Sequence, residues 1–251
     1  MPAAFDWDQF VTIADRAMGE FADRTSGMTE LVDSSILFSD GLCFCALCEM
    51  FEVDHIIEAG TGYGGSTEMF ARYFADGRRV KHIVSIDDAV NPRWQRLLAV
   101  LHLRHYSRFV WSSEKRAAQV ARARLASFPR VTLVRGDAVR ELPAIVKRIE
   151  RECGRVGLLI DGPKGELQMQ LADQMFALSP SVVFAALDDI GPMFDAEGRH
   201  ANFRAHPHAT FATSDRDYFD RFGHTNRGRL PGRMANDPAH AGYGMGILVN
   251  R

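Results

Sequence analysis

The sequence has few cysteines: only four among 251 residues, Cys43, Cys45, Cys48 and Cys153. So small a number excludes a disulfide framework and is typical of a reducing compartment, so we expect a cytoplasmic location. The first three lie in the segment DGLCFCALCEMF, where CxCxxC spacing on a single helix is poor geometry for tetrahedral zinc. We therefore interpret them as core thiols of a buried helix.

An excess of either charge is also missing, since the formal net charge is -2. This balance gives no electrostatic reason to expect nucleic acid or an anionic membrane as a partner. Residues 113–127 form a basic segment that includes Arg122 and Arg124. No aromatic side chains that could stack on bases alternate with these charges, so we interpret the segment as a solvated helix face. A small-molecule substrate is the better expectation.

Long apolar runs and targeting signals are absent as well. No stretch approaches the ~20 apolar residues that span a bilayer. The N-terminal residues MPAAFDWDQF have neither the basic nor the apolar region of a signal peptide. The sequence also shows no internal repeats and no linker, so we expect a single domain over residues 1–251.

Strand-like and helix-like segments alternate through the middle of the chain. This alternation predicts an α/β fold with a Rossmann-like, doubly wound sheet, mostly parallel, with helices on both faces. Residues 1–52 are predicted to form a helical cap and residues 243–250 an antiparallel last strand. The predicted strands before that one lie at 53–57, 80–88, 131–137, 156–160 and 181–192, with a further candidate at 208–214.

Two stretches do not fit the alternation. An ordinary crossover needs one helix, which 113–127 supplies, so residues 91–112 are predicted to be an insertion. Its leucines and aromatic residues fit extra core, a lid over the substrate or a homodimer contact. Residues 193–242 are predicted to be a variable segment on the substrate side.

A glycine-rich turn lies at 53–67, VDHIIEAGTGYGGST. Glycine lets the backbone approach a ligand closely, because no Cβ intervenes and a positive φ is permitted. The spacing Gly60-x-Gly62-x-x-Gly65 satisfies the dinucleotide fingerprint. Taken alone, this spacing fits a nicotinamide or flavin enzyme, an S-adenosylmethionine (SAM) enzyme or a plain tight turn.

Polar residues flank the glycines on both sides. Glu58 comes at the predicted end of the first strand, where a carboxylate can accept hydrogen bonds from a ribose or an amino group. Ser66 and Thr67 follow the glycines and are predicted to cap the next helix.

Acidic residues recur at the predicted strand ends. Because ligands bind outside the carboxyl ends of parallel strands, this recurrence predicts a site at one edge of the sheet. Its members are Glu58, Asp87, Asp137, Asp161, Asp188 and Asp189.

Three of these acids come from two adjacent strand ends and predict a metal site. Asp161, Asp188 and Asp189 supply carboxylate oxygens, which suit Mg²⁺ or another divalent cation. Lys164 follows Asp161 by three residues and would act as the base, because a lysine beside a metal can have a lowered pKa. The alternative is three capping acids and a surface lysine.

The ordered motifs resemble the class I SAM-dependent methyltransferases over residues 53–192. Within them the chain resembles the metal-dependent, catechol-type O-methyltransferases and the sugar-modifying cephalosporin-hydroxylase-like group. The chain departs from the pattern at Asp189, where the acidic pair is usually Asp-Asn. The matching residues are Glu58, Gly60, Gly64 and Ser66 in the E-x-G-x-x-x-G-x-S pattern, Asp87, VTLVRGDAVRELP, and Asp161-Gly-Pro-Lys164 as Asp-x-x-Lys.

The resemblance implies methyl transfer from SAM to a hydroxyl of a small molecule. Asp87 would bind the ribose hydroxyls, Asp137 and Ala138 would lie near the adenine, and Lys164 would take the hydroxyl proton. A divalent metal would sit on Asp161, Asp188 and Asp189. The implied cofactor-binding residues are Glu58, Gly60, Thr61, Gly62, Gly64, Ser66, Asp87, Asp137, Ala138 and Asp161.

Other functions remain open at this point. A metal-independent N- or sugar O-methyltransferase, an NAD(P)-dependent oxidoreductase and a non-enzymatic protein with a SAM fold share parts of the pattern. His200, His206 and His208 are alternative bases or ordinary loop histidines.

Overall fold

A computed structural model describes residues 5–28, 36–76, 79–87, 117–190, 199–223, 225, 228–230, 232 and 244–250. The predicted insertion at 91–112 lies outside these residues, so the lid and homodimer interpretations stay predictions. The segment at 193–242 is described only in part.

The strands of the described residues form one mixed sheet of seven, in the order β3-β2-β1-β4-β5-β7-β6. Strands β1 to β5 pair in parallel, and β7 runs antiparallel to both β5 and β6. This topology confirms the predicted fold, including the antiparallel last strand. The strands are β1 His55–Ala59, β2 His82–Asp87, β3 Val131–Arg135, β4 Val156–Ile160, β5 Val182–Leu187, β6 Ala209–Ala212 and β7 Gly246–Val249.

Helices cover both faces of the sheet. Helices α1 to α3 share one hydrophobic cluster with a face of the sheet, and α5 to α7 share a second cluster with the other face. The helices are α1 Trp7–Arg24, α2 Phe38–Met50, α3 Gly65–Tyr73, α4 at 117–125, α5 Ala138–Arg151, α6 Glu166–Leu178, α7 Arg199–Ala205 and α8 Arg216–Tyr218, which runs into a π-helix at Phe219–Gly223.

The cysteine-rich helix α2 forms the centre of the N-terminal cap. Cys43, Cys45 and Cys48 are fully buried, and burial raises the pKa of each thiol well above its ordinary value. The interpretation as core thiols is therefore confirmed. No helix in the described ranges is long and apolar enough to cross a membrane.

The first strand begins two residues later than predicted. The Val53 N–H donates to the Cys48 carbonyl at 2.9 Å, so Val53 still belongs to the turn after α2. The strand instead continues through Glu58 to Ala59. A carboxyl group can lie inside a central strand only if hydrogen bonds satisfy it, and hydroxyl groups of α3 and β2 supply those bonds.

Candidate active site at the carboxyl edge of the sheet

The glycine turn packs directly on the loop after β4. Gly60 has a φ of +103°. A Cβ at Gly60 would lie 3.0 Å from the Gly162 nitrogen and 3.2 Å from the Asp161 Cβ. Only glycine allows this close approach, so the turn after β1 and the acidic end of β4 form one continuous surface.

Glu58 and Ser66 lie beneath the turn, and their predicted roles as cofactor-binding residues stay predictions. The Glu58 carboxylate is fully buried. It accepts hydrogen bonds from the Ser66, Thr67 and Ser85 hydroxyls. Because Ser66 and Thr67 point at this carboxylate, neither caps α3, and Gly64 takes the N-cap in a left-handed conformation. The network holds the turn in position from below.

Burial raises the pKa of the Glu58 carboxyl to about 7, although the Ser66, Ser85 and Thr67 hydroxyls lower it. The folded protein therefore holds this proton more tightly than the unfolded chain. The resulting stability is present below the unfolded pKa and is lost as pH rises through the folded pKa.

We expect Glu58→Gln to remove this pH dependence. Between pH 5 and pH 8 the wild type should lose about 2.5 kcal/mol of unfolding free energy relative to Glu58→Gln. Urea unfolding at several pH values measures the difference. Glu166→Gln, which changes an exposed carboxyl, should follow the wild-type curve. Parallel curves for wild type and Glu58→Gln would show that the carboxyl titrates normally.

Asp87 fixes the conformation of the glycine turn from the side of β2. Its Oδ2 accepts hydrogen bonds from the Thr61 N–H at 3.0 Å and the Gly62 N–H at 2.8 Å. The Thr61 hydroxyl in turn lies 2.7 Å from the Ser85 hydroxyl. The predicted ribose contact of Asp87 stays a prediction. In the structure its carboxylate orients two backbone N–H groups of the turn.

Asp137 and Ala138 continue the same edge after β3. Asp137 is the N-cap of α5, and its carboxylate accepts the Val139 N–H at 3.0 Å. The Gly136 N–H donates to the Asp87 carbonyl at 3.1 Å, which joins the ends of β3 and β2. The prediction that Asp137 and Ala138 lie near the adenine of SAM is compatible with this placement and stays a prediction.

The strand ends bring together Asp161, Asp188 and Asp189, as their positions predict. The group that these aspartates surround is the ammonium of Lys164, in the place predicted for a metal ion. The Lys164 Nζ lies 2.8 Å from an oxygen of Asp188 and 2.8 Å from an oxygen of Asp189, and it also donates to Asp161. We call these four residues the aspartate–lysine cluster.

Backbone conformation explains how two consecutive aspartates face one point. Successive side chains of a strand point to opposite faces. Asp189 has a φ of +60°, and this left-handed conformation, which aspartate tolerates better than most residues, interrupts the alternation. The buried Gln168 then joins the strand ends by donating to the Ile160 carbonyl at 2.6 Å and the Asp188 carbonyl at 3.0 Å.

The surroundings of Lys164 favour its protonated form, and its predicted role as the base stays a prediction. Burial by itself would lower the pKa of its ammonium, but the charges of Asp188 and Asp161 outweigh burial and raise the pKa above its ordinary value. A protonated lysine must lose a proton before it can act as a base.

The predicted Mg²⁺ does not fit this arrangement. The three carboxylates face an ammonium, and no group of three His, Cys, Asp or Glu residues in the described part of the chain could hold a metal ion. The three aspartates predicted as metal ligands are therefore brought together, and the ammonium of Lys164 lies at their centre.

Of the three candidate histidines, only His200 lies near this edge. It begins the crossover helix after β5, and its Nε2 lies 3.4 Å from an oxygen of Asp215, which follows β6. His206 and His208 precede β6 and lie at the opposite edge. His206 pairs with Asp173, and the ring of His208 lies 3.0 Å from the Val249 carbonyl.

Arg124 was assigned to a solvated face, and this interpretation is wrong. Its guanidinium is mostly buried and lies 3.0 Å from a Glu68 oxygen, with a further contact of 3.4 Å to the Tyr63 carbonyl. It therefore ties α4 to the glycine turn and to α3. Its charge alone gave no sign of this, because its acidic partner lies on a distant segment.

No protein-family model matches the chain, and no curated protein sequence is significantly similar to it. A solved structure from Klebsiella pneumoniae, provisionally identified as an O-methyltransferase, has 18% sequence identity and a TM-score of 0.51, over 95% of this chain and 90% of that one.

Two further solved structures are similar at lower scores. TomG, an O-methyltransferase of Streptomyces achromogenes crystallised with SAM, has 16% identity and a TM-score of 0.48 over 94% of this chain and 91% of that one. An O-methyltransferase of Bacillus cereus in complex with S-adenosylhomocysteine (SAH) has 14% identity and a TM-score of 0.47, over 95% of this chain and 90% of that one.

At 18% identity the likeness to the Klebsiella protein shows the fold alone. The chain therefore has the fold that its resemblance to the class I SAM-dependent methyltransferases predicted.

Proposed function

We propose that this protein is a SAM-dependent methyltransferase that acts on a hydroxyl group of a small molecule. The observation that carries the proposal is the contact between the glycine turn and the aspartate–lysine cluster, where Gly60 meets Asp161. A methyl donor on the turn and an acceptor at the cluster would therefore be neighbours. The name of the Klebsiella protein agrees with this proposal by analogy.

The edge also offers apolar surface for a nucleoside. The large apolar side chains that are exposed among the described residues are Tyr63, Val139 and Leu167. Each follows the carboxyl end of a strand, β1, β3 or β4. Exposed apolar groups collected at one edge are typical of a ligand site. These side chains, the open glycine turn and Asp87 together fit the adenosine and methionine parts of SAM.

The residues of the site would act mainly through position and charge. When bound, SAM supplies an electrophilic methyl group. Asp87 and the network under Glu58 hold the turn, and the carboxylates of the aspartate–lysine cluster accept hydrogen bonds from the acceptor hydroxyl. A carboxylate of the cluster, rather than Lys164, is suited to take the hydroxyl proton.

An NAD(P)-dependent oxidoreductase is the weaker candidate. The classic dinucleotide-binding sheet has the strand order 3-2-1-4-5-6, whereas here the antiparallel β7 lies between β5 and β6. That function would also leave the aspartate–lysine cluster without a role.

Formation of SAH from SAM tests the proposal, measured by chromatography over catechols, vicinal diols, sugars and amines. We expect SAH above the acceptor-free blank with at least one hydroxyl acceptor, and at least about a tenfold slower rate in Asp188→Asn. Turnover with amines alone would overturn the hydroxyl assignment. Binding of SAH without turnover of any acceptor would favour a non-enzymatic SAM-fold protein.

A further inference from the structure

The place predicted for a divalent cation is taken by a side chain of the protein itself. We propose that the Lys164 ammonium is the resident cation of Asp161, Asp188 and Asp189 and keeps divalent metals out of this site. A consequence of this proposal, which rests on the proposed function, is that methyl transfer at this edge needs no divalent metal.

The hydrogen-bonding capacity of the ammonium matches the cluster. A lysine ammonium has three N–H donors, and Lys164 has three carboxylate partners, one from each aspartate. Asp189 supplies the third of these, through the left-handed backbone that turns it beside Asp188. One oxygen of each carboxylate therefore already binds the ammonium, and a second cation beside it would be repelled.

The spacing of the oxygens also suits an ammonium better than Mg²⁺. The distances from the Lys164 Nζ to Asp188 and Asp189 are both 2.8 Å, ordinary for a charged hydrogen bond. Mg²⁺ requires oxygens at about 2.1 Å in near-octahedral geometry.

Removal of the ammonium should open the site to a metal. Lys164→Met keeps most of the side-chain volume, removes the charge and leaves three carboxylates facing one point. Such a set resembles the carboxylate sites that bind Mn²⁺. The predicted effect is a gain of binding, which general damage to the fold would not produce.

Titration with Mn²⁺, followed by electron paramagnetic resonance, tests this proposal on the full chain without any acceptor. We expect no saturable Mn²⁺ binding to the wild type at millimolar concentration and one bound ion in Lys164→Met. Mn²⁺ should also raise the melting temperature of Lys164→Met and not that of the wild type. Lys147→Met, which removes a lysine paired with Glu150, is the matched control and should behave as wild type.

Two results would overturn the proposal. One is saturable Mn²⁺ binding to the wild type that disappears in Asp161→Asn, since the aspartates would then hold a metal despite Lys164. The other is absence of Mn²⁺ binding to both wild type and folded Lys164→Met. Should Lys164→Met fail to fold, the wild-type titration alone decides.

SAH binding to the wild type in EDTA, measured in parallel, separates this proposal from the proposed function. Loss of SAH binding in EDTA, restored by Mn²⁺, would contradict metal independence. Absence of SAH binding under every condition would overturn the proposed function, while the Mn²⁺ titrations would still decide the role of Lys164.

Discussion

Gly60→Ala should reduce SAH affinity by at least about a hundredfold, because the glycine turn and the loop after β4 could no longer touch. An alanine there would have a φ of +103° and a Cβ 3.0 Å from the Gly162 nitrogen. Backbone strain of this kind costs on the order of 1–3 kcal/mol, and the contact with backbone adds to it. Calorimetric titration with SAH and urea unfolding measure the two effects.

Gly27→Ala is the matched control for this substitution. Gly27 also has a positive φ, +83°, but a Cβ there has nothing within 4 Å, and the residue lies after α1, away from the candidate site. This variant should lose about 1 kcal/mol of stability and bind SAH as the wild type does. Equal SAH affinities in Gly60→Ala and Gly27→Ala would show that the turn is not the cofactor site.

Asp87→Ala should weaken SAH binding on the order of a hundredfold, because two functions of one carboxylate are lost together. The Thr61 and Gly62 N–H groups would lose the acceptor that orients them, and the predicted ribose contact would disappear. Asp87→Asn should give an intermediate affinity, since an amide oxygen still accepts hydrogen bonds while the charge is gone. Titration with SAH measures all three proteins.

Asp54→Ala is the matched control at the opposite edge of the sheet. Its carboxylate also accepts a backbone N–H, that of Arg155 at 3.1 Å, and it pairs with Lys81 at 2.9 Å. Asp54 precedes β1, so its removal should lower stability and leave SAH affinity unchanged. If Asp54→Ala weakened SAH binding as much as Asp87→Ala, the site could not be assigned to the carboxyl edge.

The alternation of strands and helices could be predicted because it follows from burial. The predicted bounds of β4 at 156–160 are confirmed, since an uninterrupted apolar run marks a central parallel strand. The buried positions of α5 follow the helical period in the same way, and they are Leu142, Ile145, Val146 and Ile149. The bounds of β1 were wrong, because the hydrogen bonds that allow Glu58 to be buried come from residues outside that strand.

The sequence predicted which residues meet at the candidate site, but it did not predict how their side chains are arranged. Parallel strand ends meet at one edge, so Asp161, Asp188, Asp189 and Lys164 could be expected together. What occupies their centre depends on distances of a few tenths of an ångström and on the φ of Asp189, which residue types do not determine. Ser85, which binds the Glu58 carboxylate at 2.6 Å, was missed, although a serine in a β-branched strand is a visible signal.

The most direct test of the central claim is a pair of calorimetric titrations of the wild-type protein in EDTA, one with SAH and one with NADH. The proposed function predicts saturable, micromolar binding of one SAH per chain and no binding of NADH. Binding of NADH without binding of SAH would contradict the claim, because the glycine turn would then serve a dinucleotide and the protein would be an oxidoreductase.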